Sequence, residues 1–168
     1  MAMQFPPLIV ARQPRHIGGD WAGARSWFGG NPHLGPCAWP HGEKTGKPLT
    51  FMAQLDLKVV AAQTGGYLPS SGSLAFFIGG EDPLECAVLH VPAGQHGPTA
   101  PPERAPAAYD PVMREVFPYG VDQYGPPFFP YWPVTITALD LGAYQFWIPP
   151  DALAKGAWDK VRLTFEAH

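Results

Sequence analysis

A chain of 168 residues with 22 prolines, 19 glycines and 22 aromatics lies near the compositional edge of low-complexity sequences, yet its 46% hydrophobic content is enough to offset the entropy of ordering and excludes a disordered chain. With 11 Lys plus Arg against 14 Asp plus Glu and a net charge of -3, it lacks the basic footprint of a nucleic-acid binder. The apolar run from Phe5 to Ala11 is broken by Pro6 and Pro7 and falls short of the about 20 residues that span a bilayer, so the sequence reads as a soluble, unexported protein with no membrane partner.

The first clear element is Phe51 to Leu57. Phe51, Ala53, Leu55 and Leu57 alternate with Met52, Gln54 and Asp56, which predicts a half-buried strand. Gly72 to Ile78 and Cys86 to Val91 are short, β-branched or aromatic, and bounded by Gly or Pro, which predicts two more strands across a turn-rich connection. Val134 to Leu139, Ala143 to Ile148 and Val161 to Glu166 carry the same signal. Helix is scarce: Leu57 to Gln63, a stretch opening at Asp110 and Pro111, and Pro150 to Lys155 ending at Gly156 are the candidates. These elements predict a mainly β, β-rich α+β fold of antiparallel sheets and a few short helices. Within it Ala53 to Leu57 echoes Ala138 to Leu141, as two related β halves would.

Residues 92–133 hold 11 of the 22 prolines, which marks a long Pro-rich connection inside a single domain spanning 1–168. Pro92 to Ala108 lacks large apolar residues and reads as a polyproline-like linker or surface loop. From Tyr109 onward aromatics gather, ending in Phe128, Phe129, Tyr131 and Trp132 set among prolines. Such a segment must cover something. It either folds over its own sheet or docks on a second copy of the chain or another protein. The core is expected at Phe51, Leu55, Leu57, Leu74, Phe76 and Ile78.

Arg25 to Leu34 with its Ser26, Gly29-Gly30 and Pro32, then Trp39-Pro40, then Gly46 to Leu57, then Leu68-Pro69 and Gly72 to Phe77 follow one another along the chain. In that order they resemble the motifs of the YwqG-like family of bacterial proteins. Phe146 to Ile148, Asp151 to Leu153 and Trp158-Asp159 are similar to the end of such proteins. The middle departs from the pattern, since many relatives are longer, and Gly35-Pro36 stands where Leu-Pro is directly joined. The resemblance implies a β-rich, cytoplasmic bacterial protein and no reaction.

Few residues suggest chemistry. Gly29-Gly30 is no phosphate loop, because no Lys-Ser/Thr pair follows and Pro32 stops a helix; it reads as a tight turn. His33, Cys37 and His41 are spaced by four, but Pro32, Pro36 and Pro40 forbid the helix that would align them on a metal, so no metal and no cofactor are expected. Cys37 and Cys86 read as reduced thiols. Gln54 and Asp56 share a strand face and are the best polar candidates, with Ser26 and Trp39, for contact with an unknown small ligand. Against that stands a local role, in which Asp56 caps the following turn or helix and Gln54 bonds a neighbouring loop. The function expected is a binding or protein-interaction module without catalysis. The alternative is a small cofactor-free or metal-assisted enzyme using Asp56 and Gln54.

Overall fold

The computed structural model describes residues 9–12, 25–29, 31–62, 64–79, 85–102, 132–137 and 144–165. The chain forms β1 (Ile9–Arg12), β2 (Trp27–Phe28), β3 (Thr50–Asp56), α1 (Leu57–Ala61), β4 (Ser73–Ile78), β5 (Cys86–Val91), β6 (Trp132–Thr137), β7 (Tyr144–Trp147), α2 (Pro150–Ala154), a 3-10 turn (Trp158–Lys160) and β8 (Arg162–Phe165). Six strands make one antiparallel sheet in the order β1-β6-β2-β3-β4-β5, and β7 pairs with β8 in a second, two-stranded sheet. The fold is therefore mainly β and antiparallel, with two short α-helices among the described residues.

Hairpin neighbours β3, β4 and β5 are sequential, but β1 and β2 find β6 from more than 100 residues away. β1 and β2 went unread in the sequence, being four and two residues long. Pro133 in β6 shows how a proline is tolerated in this sheet. It pairs with Trp27 of β2, whereas the pairing of β6 with β1 begins one residue later, at Val134 opposite Arg12. On its β1 side Pro133 therefore lies beyond the end of the ladder, the edge-like position that suits a proline. Phe128, Phe129 and Tyr131 lie outside the described residues, as does the helix candidate at Asp110, while the backbone of Trp132 opens β6 opposite Phe28.

β3 departs from simple alternation. Phe51 pairs with Phe77, yet Ala53 pairs with Phe76, the next residue of β4, so Met52 is an extra residue in a β-bulge. The Gly29 amide donates to the Met52 carbonyl at 2.8 Å and holds the bulge against β2. Two expectations are corrected by it. Phe51 shares a face with Gln54 and Asp56, not with Leu55, and Met52 joins the Leu55 face, because one inserted residue inverts the sense of everything before it. The strand is also buried on both faces rather than half-buried: every residue from Thr50 to Leu55 is buried.

Each face has its own cover. Over the first, the irregular segment 31–49 brings Leu34, Cys37, Trp39 and Leu49 onto Phe51, Ala75, Phe77 and Val91. Phe77 meets Phe51 edge-on at 5.5 Å and Trp39 at 5.2 Å. Over the second face, Leu57 and Val60 of α1 pack with Leu55, Leu74 and Val88, and Phe146, Leu163 and Trp158 close over Phe76, Met52 and Ile78. Of the expected core, Phe51, Leu55, Leu57, Leu74 and Ile78 are buried; Phe76 is only partly so, stacked edge-on against Phe146 at 5.0 Å, and its neighbour Phe77 takes the fully buried position.

Helix limits follow local chemistry. α1 starts where Asp56, in extended conformation, accepts the Lys58 amide on its carboxylate. α2 has Pro150 in its first turn and stops before Gly156, whose φ of 64° is open to glycine. The thiols are separate: Cys37 lies against the His90 carbonyl and Cys86 against the Val161 carbonyl, where burial pushes the Cys86 thiol up and Arg162 opposes it.

Candidate functional site

At one end of the large sheet the last residue of β3 and the first of β4 pair, and Ser73 pairs in turn with the last residue of β5, giving the row Asp56, Ser73, Val91. Beyond that row the sheet stops and its loops separate. They leave an open cleft of about 340 Å³, within the range of small-molecule sites. Its walls come from Arg25, Trp27 and His33 before β3, from Lys58 after it, from 70–72 before β4, and from 92–94 and His96 after β5. Gln54, Asp56 and Ser73 form its floor.

Gln54 is 3% exposed and its amide is fully engaged. The His33 amide donates to its Oε1 at 2.8 Å, while its Nε2 donates to the His33 carbonyl at 3.1 Å and to Ser73 Oγ at 2.7 Å. A side chain that matches both backbone groups of one residue replaces the ladder that segment 31–34 lacks. Asp56 accepts the Lys58 amide on Oδ1 at 2.8 Å, and its Oδ2 lies 3.9 Å from the Arg25 guanidinium. Ser26 sits behind it, its Oγ accepting the Asp56 amide at 2.9 Å. Trp39 is elsewhere: its indole donates to the Leu49 carbonyl at 2.8 Å and its ring lies on Phe77, toward the other end of the sheet. The fold thus brings Ser26, Gln54 and Asp56 together and keeps Trp39 apart.

The walls are set by two further devices. Residues 92–102 have no regular secondary structure, but the strap is tied down: the Thr99 amide donates to the Pro32 carbonyl at 2.7 Å, and the Leu34 amide donates to Thr99 Oγ1 at 3.1 Å. The His96 ring donates from Nε2 to the Pro92 carbonyl at 3.0 Å and lies so close to Gly35 that a Cβ there would come within 2.7 Å of the ring. On the opposite wall Gly72, at φ 84°, lets the chain turn into β4 where a side chain would strike the Val91 carbonyl.

His33 stacks at a tilt on Trp27, ring centroids 4.9 Å apart. Burial holds its imidazole below the ordinary histidine range; a hydrogen bond to the His96 backbone opposes this, and the His96 charge adds to it. The alignment of His33, Cys37 and His41 is not realised. Cys37 faces His90, the His41 ring lies against the Trp39 carbonyl at 3.1 Å, and among the described residues no three His, Cys, Asp or Glu side chains are grouped as metal ligands. Sequence reading missed Arg25, Lys58 and His96 as members of one cleft, since only strand pairing brings positions 25, 58 and 96 together.

A second buried polar anchor lies at the far end. Glu85 accepts the Lys44 amide at 2.7 Å and the Thr45 hydroxyl at 3.0 Å, clasping the turn between His41 and Pro48.

Residues 26–98 match the family model described as Domain of unknown function (DUF1963). That match takes in β2 to β5 and every cleft residue except Arg25. No curated protein and no solved structure matches the chain. Among the described residues no helix is long and apolar enough to cross a membrane.

Proposed function

We propose that this chain is a non-catalytic binding module of the YwqG-like kind, taking a small polar ligand in the cleft beyond the Asp56, Ser73, Val91 row. The observation that carries this reading is the way the floor spends its polar groups. Gln54 uses both ends of its amide on His33 and Ser73, Asp56 caps α1, and the Ser26 hydroxyl accepts the Asp56 amide. An enzyme built on Asp56 and Gln54 would have to work through Asp56 Oδ2 alone, beside the Arg25 guanidinium, because Oδ1 holds the helix cap and the Gln54 amide holds the loop. A binding site asks only that the floor stay rigid while the walls supply contacts. The motif resemblance supports a bacterial, cytoplasmic setting.

The test is a panel of small anionic, cationic and neutral compounds, read by perturbation of the His33 and His96 ring signals and by product analysis after prolonged incubation. The expected result is saturable perturbation with the compounds recovered unchanged. Conversion of any compound that is lost in Asp56→Asn, with folding intact, would replace this reading by the enzymatic one.

The aromatic segment Phe128, Phe129, Tyr131 and Trp132 belongs to the same proposal as a surface for a second copy or another protein, because prolines in a sequence restrict the unbound backbone and so lower the entropy lost on docking. Sedimentation over a concentration series is expected to show association that Phe129→Ala weakens. A monomer at every concentration removes self-association.

A further inference from the structure

We propose that the cleft is an oxyanion site, in which Arg25 and Lys58 hold a carboxylate or phosphate group of the ligand with help from the Ser70 and Ser71 hydroxyls. The inference rests on the binding reading above and adds the class of ligand.

Charge is the first ground. Among the described residues the cleft includes two permanent cations and a single carboxylate, on a chain whose net charge is -3. That carboxylate is capped on one oxygen by the Lys58 amide and has Arg25 near the other, which leaves one positive charge in excess among the described cleft residues. Arg25 is differently placed. Its side chain is 66% exposed and meets Asp56 through one nitrogen at 3.9 Å, a long contact for a group with five donors in a planar fork. An oxyanion arriving from solvent can take the remaining donors without displacing Asp56, and the Asp56 contact keeps the guanidinium at the mouth of the cleft.

The second ground is the supply of donors around those cations. Ser70 and Ser71 are exposed at the rim, on a turn fixed by Gly72 and by the His90 ring, which donates to the Ser71 carbonyl at 3.1 Å. His33 and His96 enter from the other two walls. Their ring N–H groups are spent, His33 on the His96 backbone and His96 on the Pro92 carbonyl, so the donors left for a ligand are those of Arg25, Lys58 and the two serines. Trp27, Pro92 and Ala93 give an apolar wall for the body of the ligand.

The experiment titrates the full chain at low salt with inorganic phosphate, succinate, spermidine and glucose in parallel, following the His33 and His96 ring signals. Saturable perturbation by phosphate or succinate is expected; which of the two is tighter tells a phosphoryl from a carboxylate ligand. Arg25→Gln and Lys58→Gln should each weaken it about fivefold or more, the loss of one charge-assisted hydrogen bond. Lys58→Arg and Arg25→Lys, which keep the charge, should retain most of the affinity, as should Lys160→Gln, whose ammonium pairs with Asp159 at 2.7 Å outside the cleft. Anion binding indifferent to both Gln variants overturns the proposal. If spermidine or glucose moves the ring signals and neither anion does, the oxyanion assignment fails while the binding reading stands. Silence from all four also overturns the oxyanion assignment, and the wider compound panel then decides the binding reading separately.

Discussion

The two faces of β3 and β4 are buried by different means, and the difference explains where polar side chains had to go. On the Leu55 face the cover is regular secondary structure, α1, the paired strands β7 and β8 and the 3-10 turn, and it meets the sheet through apolar side chains. On the Phe51 face the cover is the irregular segment 31–49, whose amides and carbonyls find few partners in their own loop. There the fold uses side chains as substitutes: buried Gln54 for His33, and the partly buried Trp39 indole for Leu49 and Thr99 for Leu34. A polar residue in the middle of a buried strand is thus an anchor for an irregular cover, and the cleft opens where that cover ends.

Large-to-small changes at neighbouring positions test which face carries more. Phe77 is wholly inaccessible between Phe51 and Trp39, whereas Phe76 remains partly exposed beside Phe146. Phe77→Ala should cost about 3 to 5 kcal/mol by urea unfolding, and Phe76→Ala clearly less. The reverse order would mean that the bulge at Met52 is misplaced and the two faces are exchanged.

Removing the anchor should come next in size. Gln54→Leu keeps the volume roughly constant but strands the His33 amide and carbonyl, at about 2 to 3 kcal/mol for two unmet buried groups. Hydrogen exchange should rise locally at residues 31–34 and leave α1 unaffected. If exchange rises equally on both covers, the division of labour between the faces is wrong.

The opposite sign is expected at Thr50. It is inaccessible, lies on the Ile78 side, and among the described residues its hydroxyl has no hydrogen-bond partner. Thr50→Val replaces that oxygen by a methyl group of similar shape, so the variant should match the wild type or gain about 1 kcal/mol. A loss in urea unfolding would reveal a partner for the hydroxyl.

How much of this was legible beforehand depends on the range of the interaction. Cys86–Val91 is the strand its composition predicts, and β4, β7, β8, α1 and α2 lie within the segments expected, because their limits are set by neighbouring Gly, Pro and Asp. β1 and β2 are too short for periodicity to register and exist through pairing with β6. The bulge was invisible for a related reason: Phe51 to Leu57 alternates perfectly as text, and only the register with β4 shows the extra residue. At the cleft, the pairing of Gln54 with Asp56 on one face was readable, since both lie after the bulge. Arg25, His33 and His96 were not, as no local pattern joins a residue before β2 to one in a Pro-rich strap.

The smallest expected effect concerns pH, and it sharpens the picture of the irregular cover. His33 is packed against Trp27 and partly withdrawn from water, so its imidazole is held below the ordinary value of 6.5. An unfolded chain therefore binds the His33 proton more readily than the folded one does. Its contribution to stability is fully present above pH 6.5 and is lost as pH falls through the lowered folded value. Other carboxylates and histidines also titrate in acid, so the wild-type profile alone does not isolate the effect. The informative quantity is the difference from His33→Asn, which keeps a polar side chain at the cleft wall but cannot be charged. Melting temperatures measured from neutral to mildly acidic pH should fall more steeply for the wild type than for this variant, and the two profiles should run parallel above neutrality. Parallel profiles throughout would place the imidazole in water, and the loop carrying it would then lie off the sheet rather than clamped to it by Gln54.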